Sequence, residues 1–210
     1  MQVGYTDYEK KRTVGRMGRL ASFTLVEGFL SKKKVLDIGC SDGLYLELFS
    51  PNSLGIEQIK GLSDLAIAKG LNIIHDDVEI ALKKIEDNSF DGVFYSHVME
   101  HVNCPICILR EINRVLRPNG VLVLGLPIEK SLVRQIFRHD YFNGTHLYSF
   151  TIRNANKLLI ETGFKCKKTF YHFPWLKGRF GEFINVVWNK VPFPRKEWFS
   201  MAYWIVSYKE

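Results

Sequence analysis

The sequence predicts an α/β fold, a mostly parallel sheet with helices on both faces. Short apolar runs without a polar face, such as KKVLDIGC, FDGVFYS and VLVLGLP, alternate with stretches at helical spacing. Strands apolar on both sides belong in a sheet covered on both sides, and strand–helix alternation makes neighbouring strands parallel. At 210 residues the chain is long enough for a large core, and we read 1–210 as a single domain.

The elements follow in order. KKVLDIGC is a first strand, bounded by lysines and ended by a glycine turn. SDGLYLELF then starts a helix, with Ser41 or Asp42 placed to cap it. NSLGIEQI gives a second strand ending near Glu57, SDLAIAKG a helix closed by Gly70, and LNIIHDD a third strand. DNSFDGVFYS is a turn and a fourth strand. CPICILREINRVL is helical, with Pro105 tolerated in the first turn. RPNG is a turn before VLVLGLP, a fifth buried strand. Beyond Pro127, EKSLVRQIFRHDYFNGTH holds one helix and a loop, and TIRNANKLLIETGF is a helix closed by Gly163. KCKKTFYHF and SMAYWIVSY read as strands around an aromatic, basic insertion at 173–198.

No apolar run approaches the roughly 18 residues that span a bilayer. MQVGYTDYEKKR lacks the apolar region of a secretory signal. The expected location is therefore cytoplasmic. Four cysteines without framework spacing are expected to remain thiols in a reducing compartment. The net charge of +7 favours anionic partners such as phosphorylated metabolites or an acidic membrane surface. Residues 165–196 hold eight Lys/Arg against one Asp/Glu, and 1–20 hold five against two. No continuous basic run or stacking motif points to nucleic acid.

The turn Asp37-Ile38-Gly39-Cys40-Ser41-Asp42-Gly43 is the place where an open α/β sheet frames its ligand. A dinucleotide site needs a second glycine for close approach to a pyrophosphate; here that position is Ser41. Asp37 also places a carboxylate where it disfavours two phosphate charges. A cofactor with a cationic amino group and no phosphate suits this loop better, and S-adenosylmethionine is one.

VLDIGCSDG resembles motif I of the class I S-adenosylmethionine-dependent methyltransferases, and the likeness continues in order along the chain. NSFDGVFYSHVMEHV and EINRVLRPNGVLVLGLP are similar to the fourth and fifth strands of the type 11, UbiE- and quinone-methyltransferase-like subgroup. The resemblance covers 33–127 most strongly and 145–172 more weakly. It implies a Rossmann-like sheet of seven strands, mostly parallel, with an antiparallel last strand. It also implies S-adenosylmethionine as cofactor and S-adenosylhomocysteine as product. Asp37, Gly39, Cys40, Ser41 and Gly43 would form the loop. Glu57, with Gln58 beside it, would accept the ribose hydroxyls. Asp77 and the Val78 backbone would meet the adenine, and Ser96 the methionine part. GIEQ and KGLNIIHDDVEIALKKIEDNSFDGV resemble MetW instead, which implies a cofactor-binding regulatory partner without its own methyl transfer.

His97-x-x-Glu100-His101 has the spacing of a zinc-peptidase motif. Following FDGVFYS it falls at the end of a strand, and the type 11 pattern accounts for EHV, so the expectation is no metal. An oxygen acceptor needs a base, for which His146 is the first candidate and His97 and His101 the next. Residues 1–30 are read as a lid, in which Tyr5, Tyr8, Arg12 and Arg16 could meet the cofactor. Residues 31–128 form the cofactor core, and 129–210 the acceptor side. In the insertion, Phe180, Phe183, Ile184, Val187 and Trp188 fall on one helical face. In the plainer reading that face packs on the sheet. In the sharper one it rests on an anionic membrane or receives a lipid-linked acceptor. The expected acceptor is a small molecule, quinone, lipid or lipid-linked glycan; the oligomeric state is left open.

Overall fold

The computed structural model describes residues 23–136, 146–173 and 178–210. The candidate lid residues Tyr5, Tyr8, Arg12 and Arg16 lie outside them. A short helix α1 (Glu27–Leu30) precedes β1 (Val35–Ile38) and β2 (Leu54–Glu57). Then come α2 (Lys60–Ala68), β3 (Ile73–His75), α3 (Val78–Lys83), β4 (Phe90–Ser96), α4 (Pro105–Val115) and β5 (Leu116–Pro127). The remainder is α5 (Leu132–Ile136), α6 (Ile152–Glu161), β6 (Phe164–His172), α7 (Gly178–Lys190) and β7 (Ala202–Lys209).

These strands form one sheet of seven, ordered β3-β2-β1-β4-β5-β7-β6. β7 runs antiparallel to both of its neighbours, and the β1–β2, β1–β4, β2–β3 and β4–β5 pairs are parallel. Alternation along the strands feeds two cores. Leu36, Ile38, Tyr95, Leu122 and Leu124 pack under α3, α4 and α6. Val35, Phe94, Val123, Trp204 and Val206 pack on the other face with Phe23, Val26 and Leu30. The Phe94 and Trp204 rings stack there at 5.4 Å. The edge strands are the exceptions to two-sided burial: β3 is only partly covered or exposed, and β6 buries only Phe164 and Phe170.

Three local expectations are corrected. SDGLYLELF does not begin an α-helix. It forms turns and a single 3-10 turn at Leu46–Leu48, because the Ser41 amide is held by Glu57 and Asp42 is tied to Lys69. RPNG loops out within β5: Leu116 pairs with Phe90 and Val121 with Gly92, leaving Arg117 to Gly120 outside the ladder. The cysteines are not all thiols. Cys104 and Cys107 form a disulfide across the first turn of α4, where the helix brings their Cα atoms to 5.3 Å, within bridging range. Cys40 and Cys166 remain thiols.

The insertion helix α7 does not pack its apolar face on the sheet, as the plainer reading expected it to. Its sheet-facing side is polar: the Asn185 and Asn189 side chains accept from the Phe173 and Tyr171 amides at 2.8 Å, and Asn189 donates to the Tyr171 carbonyl. Of the expected apolar face, Trp188 packs on Phe173 and Phe193, while Phe180, Phe183 and Val187 are exposed. No helix among the described residues is long and apolar enough to cross a membrane.

Candidate functional site

Sheet order reverses beside β1, so the loops leaving β1 and β4 face one another across the crevice where α/β sheets bind ligands. Contact between them is close. Gly39 has φ +73°, and a Cβ there would run into the Val98 side chain of the SHVMEHV loop. The Gly39 and Cys40 amides both donate to the Ile56 carbonyl, at 2.9 and 3.0 Å, which ties the loop to β2. Ser41 follows with φ +57°, left-handed backbone that glycine adopts more easily, and Gly43 with φ +81°.

Glu57 braces this turn. It is 6% exposed, and its two carboxylate oxygens accept from the Ser41 and Ile59 amides, each at 2.8 Å. Each oxygen keeps acceptor capacity for a ligand hydroxyl. Asp37 is buried at the end of β1, and the Ser41 hydroxyl is buried without a hydrogen-bond partner among the described residues. A glycine cradle with no room for a Cβ and a buried carboxylate at the end of β2 fit a nucleoside ligand carrying a cationic group. Ser96 ends β4 within the same crevice. Asp77 serves as the N-cap of α3, accepting from the Glu79 amide at 2.7 Å, with Val78 buried beside it. Gln58 is exposed.

SHVMEHV leaves β4 as a turn, not a helix, which removes the geometry of a peptidase motif. His97 opens it with φ +54° and donates its amide to the Gly125 carbonyl at 2.9 Å. Glu100 is 1% exposed, with His97 Nδ1 at 3.5 Å and His101 Nε2 at 4.0 Å. The Glu100 carbonyl accepts from the Leu147 and Tyr148 amides, pinning the later loop to this one. His146 is thereby delivered to the cluster, its ring 4.7 Å from that of His101. His146 Nδ1 meets Glu129 Oε1 at 2.8 Å, and both side chains are buried.

Electrostatics follow from this burial. Burial pushes the Glu100 carboxyl up, but the hydrogen bond and charge of His97, helped by His101, outweigh it and hold the group below its usual value. Burial, with Glu100 and Glu79 nearby, raises the Tyr95 hydroxyl well above the usual range. Burial, reinforced by the charge of His97, pushes His172 down to about 4.

All three candidate histidines therefore gather around Glu100, and two arrangements of matter could use them. Glu129 and His146 form a carboxylate–imidazole pair able to take a proton. Glu100, His101 and His146 also offer ligand atoms within 4.8 Å of one another, a set that could hold a divalent cation. Glu129 was not among the sequence candidates. Its one signal is position, two residues past the end of a parallel strand at the ligand-binding edge.

Comparisons with known proteins agree with this fold. Residues 8–169 match a family model described as a methyltransferase domain. The chain is 27% identical to a ubiquinone biosynthesis O-methyltransferase of Histophilus somni over 72% of this chain and 73% of that protein. It is 32% identical to one of Psychrobacter arcticus over 64% of this chain and 60% of that one. A crystal structure of a SAM-dependent methyltransferase from Archaeoglobus fulgidus superposes with a TM-score of 0.74 at 21% identity, covering 98% of this chain and 100% of the other. One from Thermotoga maritima gives 0.75 at 18%, covering 98% and 96%.

Proposed function

This chain belongs to the methyltransferase-domain family and is an S-adenosylmethionine-dependent enzyme; from that premise we propose that it methylates a hydroxyl oxygen of a quinone-like or lipid-linked acceptor. The observation that carries the reading is the buried Glu129–His146 pair beside the cofactor crevice. When bound, S-adenosylmethionine supplies an electrophilic methyl group on a sulfonium. The Gly39–Gly43 backbone, Asp37 and Glu57 hold and orient that cofactor. Ser96 and His97 form the wall between it and the acceptor.

His146 is the general base. Glu129 accepts from Nδ1–H, fixing the tautomer in which Nε2 is the unprotonated nitrogen that takes the acceptor's hydroxyl proton, and it stabilises the resulting imidazolium. The two relatives named above as ubiquinone biosynthesis O-methyltransferases favour an aromatic hydroxyl acceptor. They lend no support to a purely regulatory, non-enzymatic partner.

The test is methyl transfer to a panel of catechols, polyprenylated phenols and amines, followed by mass spectrometry. Expected is O-methylation of a phenolic acceptor, with His146→Gln lowering kcat by roughly 10²- to 10⁴-fold. Methylation confined to amines, or a His146→Gln variant of unchanged kcat, would refute the reading.

A further inference from the structure

The outward face of α7 is apolar, and nothing described in the chain covers it. Phe180 and Phe183 are 63% and 61% exposed, and Val186, Val187 and Val191 are exposed beside them. This is not the ordinary scatter of surface hydrophobes. The helix uses its other side, through Asn185 and Asn189, to bond the backbone of β6, and so turns its phenylalanines to solvent. Side-chain amides clamped to a sheet edge fix which way the helix faces.

The exposed charges bordering this face are cationic, while Glu197 beside Trp198 is half-buried and near Tyr171. Arg179, Lys190 and Arg195 are exposed along its borders. By helical spacing Glu182 falls on the sheet-facing arc with Asn185 and Asn189. Lys196 is spent on the Trp188 carbonyl at the end of the helix, at 2.7 Å. Phe193 and Trp198 continue the exposed aromatic surface past the helix, with Arg195 lying 4.5 Å over the Trp198 ring. A helix with aromatic residues on one face and cations at its margins has the chemistry of an interfacial element, its rings entering the acyl boundary and its cations meeting anionic headgroups.

Its place in the fold gives the surface a use. α7 hangs from the carboxyl end of β6, and that edge of the sheet also carries His97, Glu100, Glu129 and His146. His172, the last residue of β6, is close enough to His97 for the two to interact. We propose that the Phe180/Phe183/Val187 face of α7, bordered by Arg179, Lys190 and Arg195, docks the enzyme on the surface of an anionic lipid bilayer, with the acceptor rim toward the lipid. The docking is independent of which atom is methylated, so it can fail without the catalytic reading failing.

Co-sedimentation with vesicles of phosphatidylcholine, with and without phosphatidylglycerol, tests this on the full chain at low and high salt. Retention is expected on the anionic vesicles at low salt, with at least a tenfold weaker partition on pure phosphatidylcholine or at high salt. Phe180→Ser combined with Phe183→Ser, and separately Arg179→Glu combined with Lys190→Glu, are each expected to lower partition at least tenfold. Both pairs are exposed, and circular dichroism and S-adenosylhomocysteine binding, expected unchanged, verify that the variants fold. Failure of the anionic vesicles to retain the wild-type chain would overturn the proposal. So would equal retention of the phenylalanine variant, displacement from vesicles by single-stranded RNA through the same residues, or burial of the face in a dimer that the phenylalanine variant dissolves.

Discussion

The two sides of the crevice are built by different means. On the cofactor side the chain works through backbone: Gly39, Cys40 and Ser41 present a turn whose amides are fixed by the Ile56 carbonyl and by Glu57. On the acceptor side it works through side chains brought from three loops, with His97, Glu100 and His101 after β4, Glu129 after β5 and His146 from the segment beyond α5. The first side is expected to tolerate changes that keep the turn, and the second to depend on the chemistry of individual residues.

Loss of the base, His146→Gln, is the largest effect expected on the acceptor side. Next in size is a pH effect there. His172 is depressed to about 4 from 6.5, so the folded state binds fewer protons than the unfolded chain between those values. The corresponding stability is full above pH 6.5 and is lost as pH falls toward 4, amounting to about 3 kcal/mol at most. Denaturant titration at pH 7 and pH 4 should show His172→Gln losing less stability than wild type over that interval. Equal losses would show that the rim is not desolvated as described. The smallest effect expected is on the cofactor side. Ser41→Gly relieves a left-handed serine and should stabilise the chain by about 1 kcal/mol, with S-adenosylhomocysteine affinity unchanged. A large loss of affinity would mean that the Ser41 hydroxyl, and not the backbone alone, carries recognition.

The same contrast explains what could be read in advance. Asp37, Gly39, Gly43 and Glu57 were legible because a strand, its turn and the next strand are contiguous in sequence, and their spacing carries the geometry. The seven strands and the antiparallel β7 followed from the resemblance, and the registers bear them out; the strand order came from the structure. Glu129 was not legible, since its partner His146 lies across a segment whose path no periodicity sets. SDGLYLELF carried helical spacing but lost its helix to tertiary bonds at Ser41 and Asp42. The face of α7 could not be assigned either. Apolar spacing identified the helix, but two asparagines decided which side meets the sheet.

The central claim is that the β1 and β4 loops form a methyl-donor site whose binding and chemistry reside in separate residues. Calorimetric titration of S-adenosylhomocysteine into the wild type, Glu57→Gln and His146→Gln measures this directly. One ligand per chain is expected for the wild type, affinity weakened roughly tenfold or more in Glu57→Gln by loss of a charged acceptor, and wild-type affinity in His146→Gln. Absence of binding by the wild type, or equal weakening in both variants, would contradict the claim.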